Sequence, residues 1–341
     1  MCEGRHAGGG ARAKLVRHLS GNVGSIEVIE GPDRYLAGLD TYVYGIRFAG
    51  DVPPEWIAPL VLRVYPSPEQ VQKAEREAAI QRFVADQGFP APRPLLVDTS
   101  CQPFGLPFML MERVPGPSAV DRFKNPLKIR STVRAMAAMQ ARLHLLPIDG
   151  CPLPYESPLV DRLLAPSRDL IQRFRPPGLD SPLAWLEEHA SIVRNEDVAL
   201  VHNDFHPLNI QAEGDRMSLL DWPDAAIGDR HSDVARTLAV FWLAAPLEKS
   251  LAGRTVLGAL RRYIVPLYLR EYRRHLPLDD RRLRYWGALH AFAEWVLISV
   301  MQHAGEAAIG ARPGVLAEIP QAVVTSLPEY FRRRVSLLET A

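Results

Sequence analysis

The sequence predicts an α+β protein of two lobes, an N-terminal antiparallel sheet carrying one helix, followed by a mainly helical C-terminal lobe. Three observations predict it. Short apolar runs broken by glycine and proline recur between residues 25 and 114, with a single helical stretch among them. After Pro115-Gly116-Pro117, apolar residues recur at intervals of three or four. Strands gathered at one end of a chain and helices at the other mark a segregated rather than an alternating architecture. At 341 residues the chain is long enough for two such lobes, each with its own core. The expected division is a flexible tail over residues 1–20, an N-terminal lobe over 21–114 with a hinge at its end, and a helical lobe over 115–341.

The elements follow in order. Residues 1–14 are Gly-rich and polar, without an apolar core of signal-peptide length, and read as a frayed tail. Residues 25–30 and 41–48 read as strands joined by a turn-rich stretch holding Gly31 and Gly38. Leu60-Val61-Leu62-Arg63-Val64-Tyr65 is a third strand. Residues 68–87 form a helix, with Pro68 in the first turn and Gly88 just past the end. Ile80, Phe83 and Val84 mark its buried face, and Glu77 lies one turn before Ile80 on that side. Pro90-Ala91-Pro92-Arg93-Pro94 forces extended backbone into a strand at 95–98, and a further strand spans 108–114.

Beyond the hinge, Val133, Met136, Met139, Leu143 and Leu146 mark one helical face, which Pro147 ends. Residues 152–182, rich in Pro and Arg, read as a loop or broken-helix insertion, and 183–194 as a helix. Helices are expected over 234–244, 249–274, 280–303 and near 315–338, with Pro266 and Pro320 breaking or kinking two of them.

The chemistry gathers in Val201-His202-Asn203-Asp204-Phe205-His206-Pro207-Leu208-Asn209-Ile210 and the apolar run Met217-Ser218-Leu219-Leu220-Asp221. Between apolar flanks these present a carboxylate, a carboxamide and a second carboxylate, which is the equipment of phosphoryl transfer. Asp204 would orient an attacking hydroxyl and accept its proton, while Asn209 and Asp221 supply oxygen ligands suited to magnesium. The order His-x-Asp-x-x-x-x-Asn followed by a strand ending in Asp is that of kinase catalytic loops.

These residues, with the run Asp221-Trp222-Pro223-Asp224-Ala225-Ala226-Ile227-Gly228-Asp229-Arg230-His231-Ser232-Asp233, resemble the aminoglycoside phosphotransferase and choline kinase family, small-molecule kinases on a protein-kinase-like fold. The resemblance implies a nucleotide-binding N-terminal lobe, ATP with GTP as the alternative, Mg2+, and a small-molecule hydroxyl acceptor. It places Arg63 where relatives often carry Lys to grip phosphate, with Glu77 as its partner. Gly38 would let the backbone approach the phosphates. Met111 would line the adenine pocket, with main-chain groups of Glu112 and Val114 receiving the base. Asp233 becomes a buried acceptor for loop N–H groups and His202 a brace for the loop. Asp224 and Asp229 face either substrate or solvent.

Other readings compete. His202, Asp204 and His206 alternate, and on extended backbone they would share a face as a His/Asp metal-dependent hydrolase site. A nucleotide-binding pseudokinase is the non-enzyme alternative. A protein kinase is disfavoured, because 221–233 is too short for a phosphorylatable activation segment and Asn203 replaces the Arg that would hold its phosphate. Trp242, Trp286 and Trp295 offer rings that could box a cation. Arg261-Arg262, Arg273-Arg274 and Arg281-Arg282 suggest either an anionic ligand or solvated helix faces.

A net charge of +1 gives no electrostatic reason to expect nucleic acid or an anionic membrane as partner. Cys2, Cys101 and Cys151 are odd in number and lack C-x-x-C spacing, which suits a reducing cytoplasm rather than a disulfide or zinc framework. The most apolar stretches, 237–247 and 288–301, fall short of a membrane span or carry His290 and Glu294.

Overall fold

The structure, a computed structural model, describes residues 8–23, 25–35, 41–155, 157–311 and 314–340. In chain order these form α1 (Gly8–Val23), β1 (Ile26–Tyr35), β2 (Tyr42–Gly50), β3 (Leu60–Val64), α2 (Val71–Asp86), β4 (Pro94–Asp98) and β5 (Phe108–Glu112). Then come α3 (Val120–Phe123), α4 (Pro126–His144), α5 (Leu159–Phe174), α6 (Asp180–His189), α7 (Ser191–Arg194), β6 (Val198–Val201), β7 (Ile210–Glu213), β8 (Arg216–Leu219) and β9 (Ala226–Asp229). The chain closes with α8 (Arg230–Leu247), α9 (Leu251–Tyr272), α10 (Asp280–Ala304), α11 (Val315–Glu318) and α12 (Gln321–Glu339). Two compact units result. One holds the described residues up to Ser118 with Gly150–Leu153 and Ile210–Pro223; the other holds the remainder.

The N-terminal unit is an antiparallel sheet in the order β1-β2-β3-β5-β4. Strand alternation sends Leu60, Leu62 and Val64 to one face, where Leu15 and Leu19 of α1, Phe48, Trp56, Phe108 and Leu110 join them in one core. Arg63 and Tyr65 go to the other face, where Ala74 and Ala78 of α2 pack with Met109. The buried stripe of α2 carries Glu77, so two independent periodicities bring Arg63 and Glu77 to one side of the sheet.

Three expectations are corrected here. Residues 8–20 are not a flexible tail: α1 buries Leu15 and Leu19, and His18 bonds Asp98 at the end of β4. The segment 210–223, expected in the helical lobe, belongs to the N-terminal unit, because the β7–β8 hairpin bonds back through Ala212 N to Pro117 O (2.9 Å) and Leu219 N to Pro90 O (2.8 Å). Gly116 permits that approach, since a Cβ there would sit 2.6 Å from Ala212 O. Residues 159–174, expected in a loop or broken helix, form one helix with Pro166 inside it.

The helical unit is built on α4, α8, α9, α10 and α12, with β6 paired antiparallel to β9. Pro266 lies within α9, whereas Pro320 separates α11 from α12. Among the described residues no helix is long and apolar enough to cross a membrane.

Candidate active site

In the N-terminal unit the site is centred on Arg63. Its Nη1 lies 2.7 Å from Glu77 Oε1, and its Nη2 donates to Asp221 Oδ1 at 2.7 Å. Tyr65 OH donates to the other Glu77 oxygen at 2.8 Å. Arg63 is nearly buried and Glu77 wholly so, which makes each the neutralising partner the other requires. Burial pushes the Glu77 carboxyl up, and the Arg63 charge and Tyr65 bond offset this only in part. Burial disfavours the Arg63 charge, yet Glu77 and Asp221 outweigh it and raise its pKa. Burial and then the Glu77 charge raise the Tyr65 hydroxyl, keeping it a proton donor.

Asp221 follows β8 with φ +65° and a side chain 42% exposed. Its bond to Arg63 uses one oxygen. Glu112 and Val114, at the end of β5, line a cavity of about 460 Å³ with Leu60, Pro92, Gln211 and Ser218. Met111 is not among its walls; its sulfur accepts from Gln81 Nε2 at 3.5 Å. Gly38 lies outside the described residues.

In the helical unit, β6 delivers His202-Asn203-Asp204, and a 3-10 turn over Pro207–Asn209 closes the loop. The backbone is not extended: Asn203 sits at φ +61°, a left-handed conformation that its short polar side chain tolerates. His202 is therefore turned inward, fully buried, with Nδ1 accepting from Asp204 N at 3.3 Å. The common face expected for His202, Asp204 and His206 does not form, which removes the geometric basis of the hydrolase reading.

Asn209 Nδ2 donates to Asp204 Oδ2 (2.8 Å) and to its carbonyl (3.0 Å). His206 Nε2 lies 3.2 Å from Asp204 Oδ2, and Arg236 Nη2 lies 4.0 Å from Oδ1. Burial pushes the Asp204 carboxyl up, but the bond and charge of His206, then Arg236 and His202, more than offset this and hold it at about 2. Arg236 is itself held by Glu294, 2.8 Å from Nη1.

The loop rests on Asp233 of α8. That carboxylate is completely buried and accepts from Asn203 N (2.6 Å), His144 Nε2 (2.9 Å) and Gln140 Nε2 (3.1 Å). Tyr272 and Tyr268 of α9 hold His144 and Gln140 from behind. Burial raises the Asp233 carboxyl, and the His144 bond and charge outweigh it, for a net lowering. Asp229 faces neither substrate nor solvent: it is buried, caps α8 through His231 N, and also accepts from His231 Nδ1, Arg282 and Trp286. Asp224 is exposed, and its carbonyl accepts from Asn203 Nδ2.

Thus Arg63, Glu77 and Asp221 come together in one unit, and Asp204, Asn209, His202 and Asp233 in the other. Sequence reasoning missed Tyr65, Arg236, Glu294, Gln140 and His144, and took His206 only as a metal ligand rather than as the partner of Asp204. The signal for Gln140 and His144 was present, as two polar residues four apart on a helix otherwise buried by Val133, Met136 and Leu143. Arg236 stood one turn beyond Asp233 on α8.

A family profile described as "Phosphotransferase enzyme family" matches residues 52–278. Acyl-CoA dehydrogenase family member 10 of Mus musculus is 25% identical over 84% of this chain, which spans only 28% of that protein. Among solved structures, an ethanolamine kinase of Plasmodium vivax superposes with a TM-score of 0.62 at 14% identity, over 94% of this chain and 89% of that one. An aminoglycoside phosphotransferase in ternary complex with ADP and hygromycin B gives a TM-score of 0.60 at 16% identity, over 94% and 98%. At such identities the likeness is one of fold, and it is the protein-kinase-like α+β fold.

Proposed function

The chain belongs to the phosphotransferase enzyme family, and from that premise we propose that it is a kinase moving the γ-phosphate of ATP, with Mg2+, to a hydroxyl of a small molecule. The observation that carries the reading is Arg63, a buried guanidinium held by Glu77 while it donates to Asp221. A cation fixed in this way is a phosphate grip, and the Arg fork serves where relatives use Lys.

The residues fit the groups they are asked to hold. Arg63 Nε is buried without a hydrogen-bond partner among the described residues, a donor left for a phosphate oxygen. Asn209 turns its nitrogen to Asp204, leaving its oxygen for a metal, and Asp221 keeps one carboxylate oxygen beyond its bond to Arg63. Oxygen donors suit Mg2+, which when bound neutralises charge on the β- and γ-phosphates.

Asp204 orients the acceptor hydroxyl. As the acceptor O–P bond forms and the bond to the β-phosphate oxygen breaks, the hydroxyl proton passes to the Asp204 carboxylate. A carboxyl held at about 2 is a weak base, so positioning is its larger contribution. Asn203, bonded to Asp233 and Asp224, and Asn209 keep that carboxylate aimed. The acceptor class spans aminoglycoside-like antibiotics, amino alcohols and other hydroxylated metabolites, and the odd cysteines without C-x-x-C spacing fit a cytoplasmic enzyme.

The test is radiolabelled γ-phosphate transfer to a panel of hydroxyl compounds, with and without Mg2+. Mg2+-dependent transfer, or slow ATP hydrolysis without acceptor, is expected. A chain that binds nucleotide but never turns it over is a pseudokinase, and one that does neither overturns the reading.

A further inference from the structure

The rings expected to offer a cation box are already committed, and Trp295 packs against Phe292 and Phe331. Trp286 is buried with its Nε1 on Asp229, and the Trp242 ring already carries protein cations. Arg261 of α9 places its Cζ 3.9 Å from the Trp242 centroid, and Arg333 of α12 places its own 5.3 Å away. Tyr330 packs against the same indole at 4.9 Å between centroids, and its hydroxyl accepts from Arg334 at 2.6 Å. Three helices, α8, α9 and α12, thus hold two guanidinium groups beside one ring.

Neither guanidinium has a carboxylate within ion-pair distance among the described residues. Glu329 pulls on Arg261, but more weakly than Arg333 and Arg262 repel it. Burial first, and then those two like charges, disfavour the Arg261 cation. A guanidinium stacked on an indole is oriented while its in-plane N–H groups stay available, which is the geometry for bidentate binding of a carboxylate or phosphoryl group. Trp242 stands six residues beyond Arg236 on α8, about 9 Å along the helix axis, and Arg236 is the residue that reaches Asp204.

We propose that Arg261, Arg333 and Trp242 form a subsite for an anionic group on the acceptor, so that the substrate joins its hydroxyl to a carboxylate or phosphate several bonds away. This rests on the kinase reading above and narrows it. Polycationic and quaternary-ammonium acceptors meet two uncompensated positive charges and an indole whose face is taken.

The test measures binding by calorimetry and transfer by kinetics on the full chain with nucleotide and Mg2+. The probes are straight-chain hydroxycarboxylic acids, their methyl esters, monophosphorylated diols and amino alcohols. Acids or phosphorylated diols are expected to bind about tenfold tighter than esters, and the stronger of the two identifies the anion. Arg261→Gln with Arg333→Gln should abolish the preference and raise KM for the acid about tenfold with kcat changed less than twofold. Arg332→Gln, on the same helix and exposed, should keep the preference. Arg333→Gln alone, at an exposed position, covers the case in which the double variant does not fold, and should lose part of it. Equal binding of acids, esters and amines, or a preference that survives the paired substitution, overturns the subsite. Acids that bind selectively without any transfer would leave the subsite standing and sink the kinase reading; unselective transfer would do the reverse.

Discussion

Four of the six aspartates between residues 204 and 233, Asp204, Asp221, Asp229 and Asp233, divide into two pairs. Asp229 and Asp233 are completely buried, and every carboxylate oxygen among them meets an N–H donor. Asp204 and Asp221 are 27% and 42% exposed, and the donors around them occupy only part of the lone pairs an ionised carboxylate offers. Residue type is the same in all four, so coordination separates them. A saturated carboxylate holds chain; one with an open lone pair and a path to solvent is left for ligand or proton. The second motif therefore divides internally, with Asp221 at its start partly exposed and bonded through one oxygen, and Asp229 and Asp233 at its end given over to the fold.

The largest expected effect tests the open pair. Asp204→Ala should lower kcat by about 10⁴-fold, the upper end for a positioned acid–base group, with nucleotide affinity close to wild type. Steady-state kinetics and nucleotide titration measure both, and near-normal turnover would erase the distinction drawn here.

The next tests the saturated pair. Asp233→Ala leaves His144 and Gln140 facing a buried void and strips Asn203 N of its acceptor. Losing one partner of a buried charged network costs about 4 kcal/mol, to be read as a shift of the urea midpoint. A change under about 1 kcal/mol would show that the network is not load for the fold.

Legibility in the sequence follows the same line. Strand and helix periodicity exposed the sheet, α2 and the inner face of α4, because burial on one side writes a period into the chain. It also placed Glu77 toward the Arg63 side, since Glu77 shares the apolar stripe of α2. Composition misled where it outweighed period. Gly8-Gly9-Gly10 suggested a tail, although Leu15 and Leu19 already stood four apart. The Pro- and Arg-rich composition of 152–182 suggested a loop or broken helix, although Val160, Leu164, Ser167 and Ile171 mark one buried face of α5. Arg236 and Glu294 meet from helices 58 residues apart in sequence, and Gln140 and Asp233 from helices 93 apart. Tertiary contacts of that kind leave no local period to read.

The smallest effect separates the pairs by pH. Asp204 is lowered from its ordinary 3.8 to about 2, so its contribution to stability is complete above about pH 4 and is lost as pH falls through about 2, amounting to about 2 kcal/mol. Asp229, Asp233 and other carboxylates such as Asp98 are lowered too, so an acid titration of the wild type sums several groups. Asp204→Asn removes one term and leaves the buried pair intact. The stability difference between wild type and this variant, from urea unfolding at pH 5, 4, 3 and 2, should therefore be constant down to about pH 4 and shift by about 2 kcal/mol below it, against the wild type. A difference flat to pH 2 would mean that His206 and Arg236 do not hold the Asp204 charge in solution, and that the carboxylate is oriented by Asn209 alone.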